Sequence, residues 1–245
     1  MSRINYGAPG FFASGLSFLN AVLAYFMLPE SLKERSVSKR RPAVFNIPAV
    51  RDAFRKEGIA DLVLIFFFYT FSFSILYVAF PLFSEAVLKY DAADNGYFFA
   101  YVGLIGIIIQ GGVIGKLAKK LGEKKLVIYG LVSFLASLLL VPEIHDIAPL
   151  VVIATLLAIG SAFITPSLSS LISKHAGTGE QGSTLGVSQS FSSLGRVLGP
   201  FFGGFILGVA GIDWPFYIGG FLILVAIVFA VRVPGRRVEN LQSRR

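Results

Sequence analysis

Arg196 is a charged side chain well inside an apolar stretch, about twelve residues into the run 184–209. A guanidinium near the centre of a hydrocarbon layer costs roughly 2.5–3.5 kcal/mol on insertion scales. It must therefore face water, a bundle interior or a partner. Two readings stay open: a gating or substrate-facing polar network, or a side chain that snorkels and bonds carbonyls freed by Pro200. Asn20, Tyr69, Tyr77, Tyr101, Gln110 and Gln189 also fall inside apolar runs. Each could fix a ligand in an apolar cavity, or simply hydrogen-bond a neighbouring helix. Phe66, Phe67, Phe68, Phe71 and Phe73, with Tyr69 and Tyr77, could form an aromatic wall for lipophilic molecules or face lipid. No Asp or Glu lies well inside any run; Asp61, Glu85 and Asp213 sit near ends. Groups that change charge within the membrane, the usual requirement of proton coupling, are thus missing from these runs. There is no cysteine, and the two histidines, His145 and His175, fall in expected loops. No metal-ligand cluster, nucleophile with a base, or phosphate-binding glycine loop is visible, so neither an enzyme nor a cofactor is expected.

Of 245 residues, 55% are hydrophobic and only 15% charged, with a mean hydropathy of +0.73. Soluble domains carry about 25% charged residues. Here the apolar positions form continuous blocks of roughly 17–25 residues, long enough to cross a ~30 Å core as helix. The spans lie near 10–28, 61–83, 96–115, 126–141, 149–172, 184–209 and 214–232. The first ends in Leu28-Pro29-Glu30-Ser31, without the small-residue cleavage site of a signal peptide. Alternating the loops places nineteen of the 22 lysines and arginines on one side; Arg3 and Lys89 fall on the other, and Arg196 lies within a span. The net charge of +8 therefore reads as topogenic rather than nucleic-acid-binding, and places the N-terminus outside and the C-terminus in the cytoplasm. The cluster 33–41 could add contact with anionic lipid, and Pro48–Glu57 could lie on the membrane surface as an amphipathic helix.

The sixth span contains Gly195-Arg196-Val197-Leu198-Gly199-Pro200-Phe201-Phe202-Gly203-Gly204. Glycines four apart allow close helix approach. The string resembles the glycine-proline motif of major facilitator superfamily drug antiporters, which recurs in related form in their eleventh helix. Gly179–Gly186 followed by Ser188-Gln189-Ser190 resembles the entry to that helix. Gly115-Lys116-Leu117-Ala118-Lys119-Lys120-Leu121-Gly122-Glu123-Lys124-Lys125 resembles the family's G-x-x-x-D-R-x-G-R-K loop, keeping Gly115, Lys120, Gly122 and Lys124. It departs at Lys119, where the motif has an acid, and at Glu123, where it has a base. The acid's gate-locking role cannot be carried over. Leu28–Ser31 resembles the end of the family's sixth helix.

The resemblance implies an all-α membrane protein: a helix resembling the sixth (1–28), a basic cytoplasmic loop (29–60), a six-helix C-terminal bundle (61–232) and a basic tail (233–245). It is closest to the tetracycline and multidrug efflux branch. It implies alternating-access transport of a small lipophilic solute, with proton coupling, in the cell (inner) membrane. The candidate cavity residues are Tyr69, Tyr77, Tyr101, Gln189 and Arg196; the gating and packing set is Gly115, Lys120, Gly122, Lys124, Gly195, Gly199, Pro200, Gly203 and Gly204. The expected partners are the substrate, the bilayer, and either a missing N-terminal half, from a truncated frame or split gene, or a second copy. A seven-helix receptor fits by topology, but the last span has no lysine for a retinal Schiff base, and the glycine motifs would have no role there.

Overall fold

A computed structural model describes residues 7–27, 51, 54–56, 58–144, 147–176 and 179–234. The chain divides into two units, residues 1–45 and 46–245. In the first, α1 (Ala8–Met27) is an α-helix without an acidic or basic side chain. Ser14 Oγ returns a 2.8 Å hydrogen bond to Gly10 O, hiding its hydroxyl proton within the helix.

The second unit opens with α2 (Ile59–Leu88), entered through Gly58 at φ 78° and left through Lys89 at φ 59°. Asp91 caps α3 (Ala92–Ile108) by accepting from the amides of Ala93 and Asp94, while the Asp94 carboxylate accepts from the Asp91 amide. A π-helical turn, Ile109–Val113, joins α3 to α4 (Ile114–Leu121), so that residues 92–121 form one span. Gly122 at φ 81° separates α4 from α5 (Glu123–Leu140). Then follow α6 (Ile147–Ala176), α7 (Gln181–Ala210) and α8 (Trp214–Arg232). Seven helical stretches among the described residues are long and apolar enough to cross a membrane, as expected.

The helices outrun the apolar blocks, because hydropathy measures only the hydrocarbon depth while backbone hydrogen bonding continues into the polar margin. His175 is the clearest case. It lies in the last turn of α6 rather than in a loop, with Nδ1 2.8 Å from Leu171 O. His145, Leu28–Ser31, most of Pro48–Glu57 and the tail beyond Pro234 lie outside the described residues.

Within the second unit α2 is the central helix, packed most extensively against α7 and then α8, while α5 packs on α6 and α8. Small residues set these approaches. A Cβ on Gly195 would meet Thr70 Oγ1 at 2.7 Å and Phe67 O at 3.0 Å; one on Gly199 would collide with Ser74 Cβ. At the α5–α6 crossing, a Cβ on Gly160 would meet Gly130 O at 2.9 Å. Ser72 Oγ donates to Gly219 O of α8 at 2.9 Å. Phe80, Phe83, Phe134 and Phe216 fill the interior.

One end of this unit gathers the start of α2, the α4–α5 junction, the α6–α7 junction and the end of α8. Lys56 pairs with Glu180 and donates to Ala176 O at 3.0 Å. Glu123 pairs with Lys174 and accepts from Ser170 at 3.2 Å. Lys124 Nζ donates to Val231 O at 2.9 Å and Val233 O at 2.6 Å, closing the last turn of α8. Lys56, Lys124 and Lys174, which loop counting assigned to one side, thus lie at one end of the bundle.

Candidate functional site

A cavity of about 320 Å³ is lined by Phe66, Tyr69, Thr70, Phe73, Ser74, Gln110, Ser161, Thr165 and Arg196. Four helical stretches supply it. From α2, Phe66, Thr70 and Ser74 recur at i, i+4 and i+8, and Tyr69 and Phe73 run beside them, since every fourth residue of a helix returns to one face. Gln110 projects from the π-turn between α3 and α4, and Ser161 and Thr165 form an i, i+4 pair on α6. Arg196 stands midway along α7, one residue beyond the glycine that brings α7 onto α2.

The lining mixes hydroxyls, one amide and one guanidinium with the aromatic rings of Phe66, Tyr69 and Phe73. Tyr69 faces the Thr165 hydroxyl and the Arg196 charge. Its ring meets Phe134 edge-on at 5.3 Å and Phe73 at 5.9 Å, holding the phenol in place. Thr70 Oγ1 lies 2.8 Å from Phe66 O and 3.3 Å from Ser192 O, so its proton is spent on backbone carbonyls. Ser161 Oγ likewise donates to Ala158 O at 3.1 Å. Pro200 has no N–H to give the Arg196 carbonyl, so that carbonyl of α7 lacks its usual helical donor.

Of the cavity residues expected from sequence, Tyr69 and Arg196 come together here, and Gln110 joins them. Tyr77 continues the α2 aromatic ladder one turn beyond Phe73 and stacks on Phe99 at 4.7 Å, outside this lining. Tyr101 lies elsewhere, in a cavity of about 480 Å³ with Tyr90, Tyr97 and Leu150, where its hydroxyl is 3.0 Å from Thr155 Oγ1. Gln189 is exposed on α7 and does not line the Arg196 cavity. Asn20 belongs to α1, in the other unit. Sequence reading passed over Thr70, Ser74, Ser161 and Thr165; two hydroxyl pairs at i, i+4 within apolar runs were the available signal.

The glycine motif divides in the same way. Gly195 and Gly199 are held against α2, Gly203 makes ordinary contact with Ile75, and Gly204 has open space where a Cβ would stand. Pro200 is exposed. In the other motif, Gly122 serves its positive φ and Lys124 the end of α8, while Lys120 and Gly115 are exposed. Glu123, where the motif has a base, takes Lys174 as its partner. No group of three or more His, Cys, Asp or Glu that could hold a metal occurs among the described residues.

The family model described as Major Facilitator Superfamily matches residues 1–119 and 111–245. Multidrug resistance protein 2 of Bacillus subtilis (strain 168) is 26% identical over 223 residues, which cover 89% of this chain and 55% of that protein. The class E tetracycline resistance protein of Escherichia coli is 26% identical over 248 residues, covering 98% of this chain and 60% of its own. The crystal structure of the human organic anion transporter MFSD10 (TETRAN) matches with a TM-score of 0.68 at 22% identity, covering 74% of this chain and 45% of that one. That last likeness is one of fold. The chain spans about half the length of the curated relatives it matches.

Proposed function

The chain belongs to the major facilitator superfamily, and on that premise we propose that it forms one wall of the solute pathway of a drug-efflux-type transporter. Its class is that of a multi-pass membrane transporter, with relatives in the multidrug and tetracycline resistance groups. The observation that carries the finer reading is the meeting of Tyr69, Gln110, Thr165 and Arg196, from different helices, in one aromatic-lined cavity. A small lipophilic solute would lie against Phe66 and Phe73, and the polar groups would fix its orientation. The gating and packing roles proposed for the two motifs are Gly195 and Gly199 as the α2–α7 contact and Gly122 and Lys124 as the closure of the basic end.

The opposite wall of the pathway belongs to helices beyond this chain, in a longer protein, a separate chain or a second copy. Alternating access then moves the two walls about a site near mid-membrane. Cross-linking in membranes separates these arrangements: a product of twice the chain's mass marks self-pairing. If transport is proton-coupled, the titrating acid lies outside the described spans, whose middles hold none. The chain alone should show no vectorial transport in liposomes, and uptake of a lipophilic dye against a control would contradict this. In the complete transporter, Arg196→Ala should lower transport at unchanged protein level; unaltered transport would remove Arg196 from the pathway.

The proposed orientation puts the basic end in the cytoplasm of a cell with this protein in its inner membrane. The absence of cysteine makes the test clean. Lys125→Cys should react with an impermeant maleimide only in inside-out vesicles, and Glu143→Cys only in right-side-out ones. The reverse pattern would invert the topology.

A further inference from the structure

The charges around the cavity single out one class of solute, provided that the cavity is the solute-facing wall proposed above. Arg196 is the only charged side chain in the middle third of any described span. Acids in the second unit's spans stay near helix ends, as with Asp61, Glu85, Asp94 and Glu123. Glu123 is already paired with Lys174. Arg196 has no ion pair among the described residues, and its neighbours in the cavity are hydroxyls, an amide and aromatic rings. A guanidinium is a permanent cation with five donors in a planar fork, matched to carboxylate-like and phosphate-like groups. An unpaired charge at this depth is costly unless water or an anion answers it.

A second copy of the chain is a poor answer to that charge. It would bring another Arg196 and no mid-span acid in the described segments. An anionic lipid headgroup sits at the membrane margin, whereas Arg196 is midway along a 30-residue helix. A cationic lipophile could use the faces of Phe66, Tyr69 and Phe73, but a full positive charge beside them outweighs ring quadrupoles.

We infer that the cavity takes an amphipathic organic anion, with its acidic group on Arg196 and its apolar body against Phe66, Tyr69 and Phe73. Gln110 and Thr165 are placed to bond the remaining acceptors, and the 320 Å³ volume suits a ligand of two or three aromatic rings with a single acidic group.

Two dyes sharing one aromatic skeleton test this with the full 245-residue chain. 8-Anilinonaphthalene-1-sulfonate is the anion and N-phenyl-1-naphthylamine its neutral counterpart. Binding is read by fluorescence in phosphatidylcholine nanodiscs, with empty discs subtracted. The anion should bind about 10-fold or more tightly than the neutral dye, the scale of a charged hydrogen-bonded contact. R196Q should abolish that ratio, and R196K should retain part of it. Monodisperse elution and an unchanged helical spectrum establish that each variant is folded. Equal binding of the two dyes, or a ratio indifferent to R196Q, overturns the inference while the lipophile-binding wall stands. If neither dye binds above empty discs, the wall reading falls and takes the inference with it. If phosphatidylglycerol in the discs lowers the wild-type ratio to that of R196Q, the answering anion is a lipid and the inference is overturned.

Discussion

Replacing Gly199 by alanine should destabilise the bundle more than the same change at any other glycine of the 195–204 motif. A Cβ there would collide with Ser74 Cβ and stand 3.0 Å from Ser74 C and 3.1 Å from Ile75 N. Two of these three atoms are backbone, so relief requires α2 and α7 to move apart. Overpacking of this kind costs about 1–3 kcal/mol, and contact with backbone puts Gly199 at the upper end. Helix propensity returns about 1 kcal/mol, because alanine loses less chain entropy than glycine. The net loss is about 2 kcal/mol, or about 4–8 °C in Tm for a chain of this size. Gly195→Ala should follow, since Phe67 O and Phe71 N are both 3.0 Å from the new carbon. Gly203→Ala meets Ile75 only at 3.4–3.6 Å, and Gly204→Ala meets nothing within 4 Å, so both should be neutral or slightly stabilising. Thermal unfolding in detergent, followed by loss of the monodisperse peak, orders the four variants. If Gly204→Ala lowers Tm as much as Gly199→Ala, close α2–α7 approach is not what the motif provides.

Three further changes probe the elements that hold the cavity in place. Gly122→Ala forces a side chain onto φ 81°, ψ 151°, a region left almost wholly to glycine; it should cost about 1–3 kcal/mol, read in the same unfolding assay. Lys124→Met removes two hydrogen bonds to Val231 O and Val233 O. It should cost about 1 kcal/mol and speed amide exchange across the last turn of α8, while exchange in α3 stays as it was. Ser72→Ala deletes the buried bond to Gly219 O and should cost about 0.6 kcal/mol, the usual size for an interhelical bond in a membrane bundle. A loss several times larger would mean that Ser72 holds more than that one carbonyl.

The spans were legible because water is missing from the bilayer core, which leaves long apolar blocks few structural options. The ends were less so. His175 and Lys174 continue α6 beyond its apolar block, and hydropathy has no way to count a polar final turn. The cavity was half legible. Arg196 stood out by cost and Gln110 by polarity, but Tyr77, Tyr101 and Gln189 carried the same signal and do not line this cavity. Facing is fixed by the rotation of each helix, and nearly uniform apolar composition around α2 erases the polar stripe that would reveal it. Thr70 and Ser161 were missed for a related reason. Their hydroxyls bond backbone carbonyls three or four residues back, so they cost little in an apolar run and mark no particular site.

Backbone irregularity ties the site to the sequence better than side-chain polarity does. Pro81, Pro166 and Pro200 lie within α2, α6 and α7, and each deprives the carbonyl four residues earlier of its helical donor. Those carbonyls belong to Tyr77, Ala162 and Arg196. The π-turn at Ile109–Val113 interrupts the fourth contributing stretch at Gln110. In a membrane such interruptions persist where protein or a cavity answers the freed groups, not against lipid. Arg196 and Gln110 are in the lining themselves, and Ala162 adjoins Ser161. Tyr77 stands one turn beyond Phe73 on the same aromatic ladder. Regular helix therefore surrounds a centre where the ladder is locally broken, and at that centre sits the one mid-span charge of the described chain. A bundle built only to pack would have little use for either feature, and both fit the solute-facing wall proposed above.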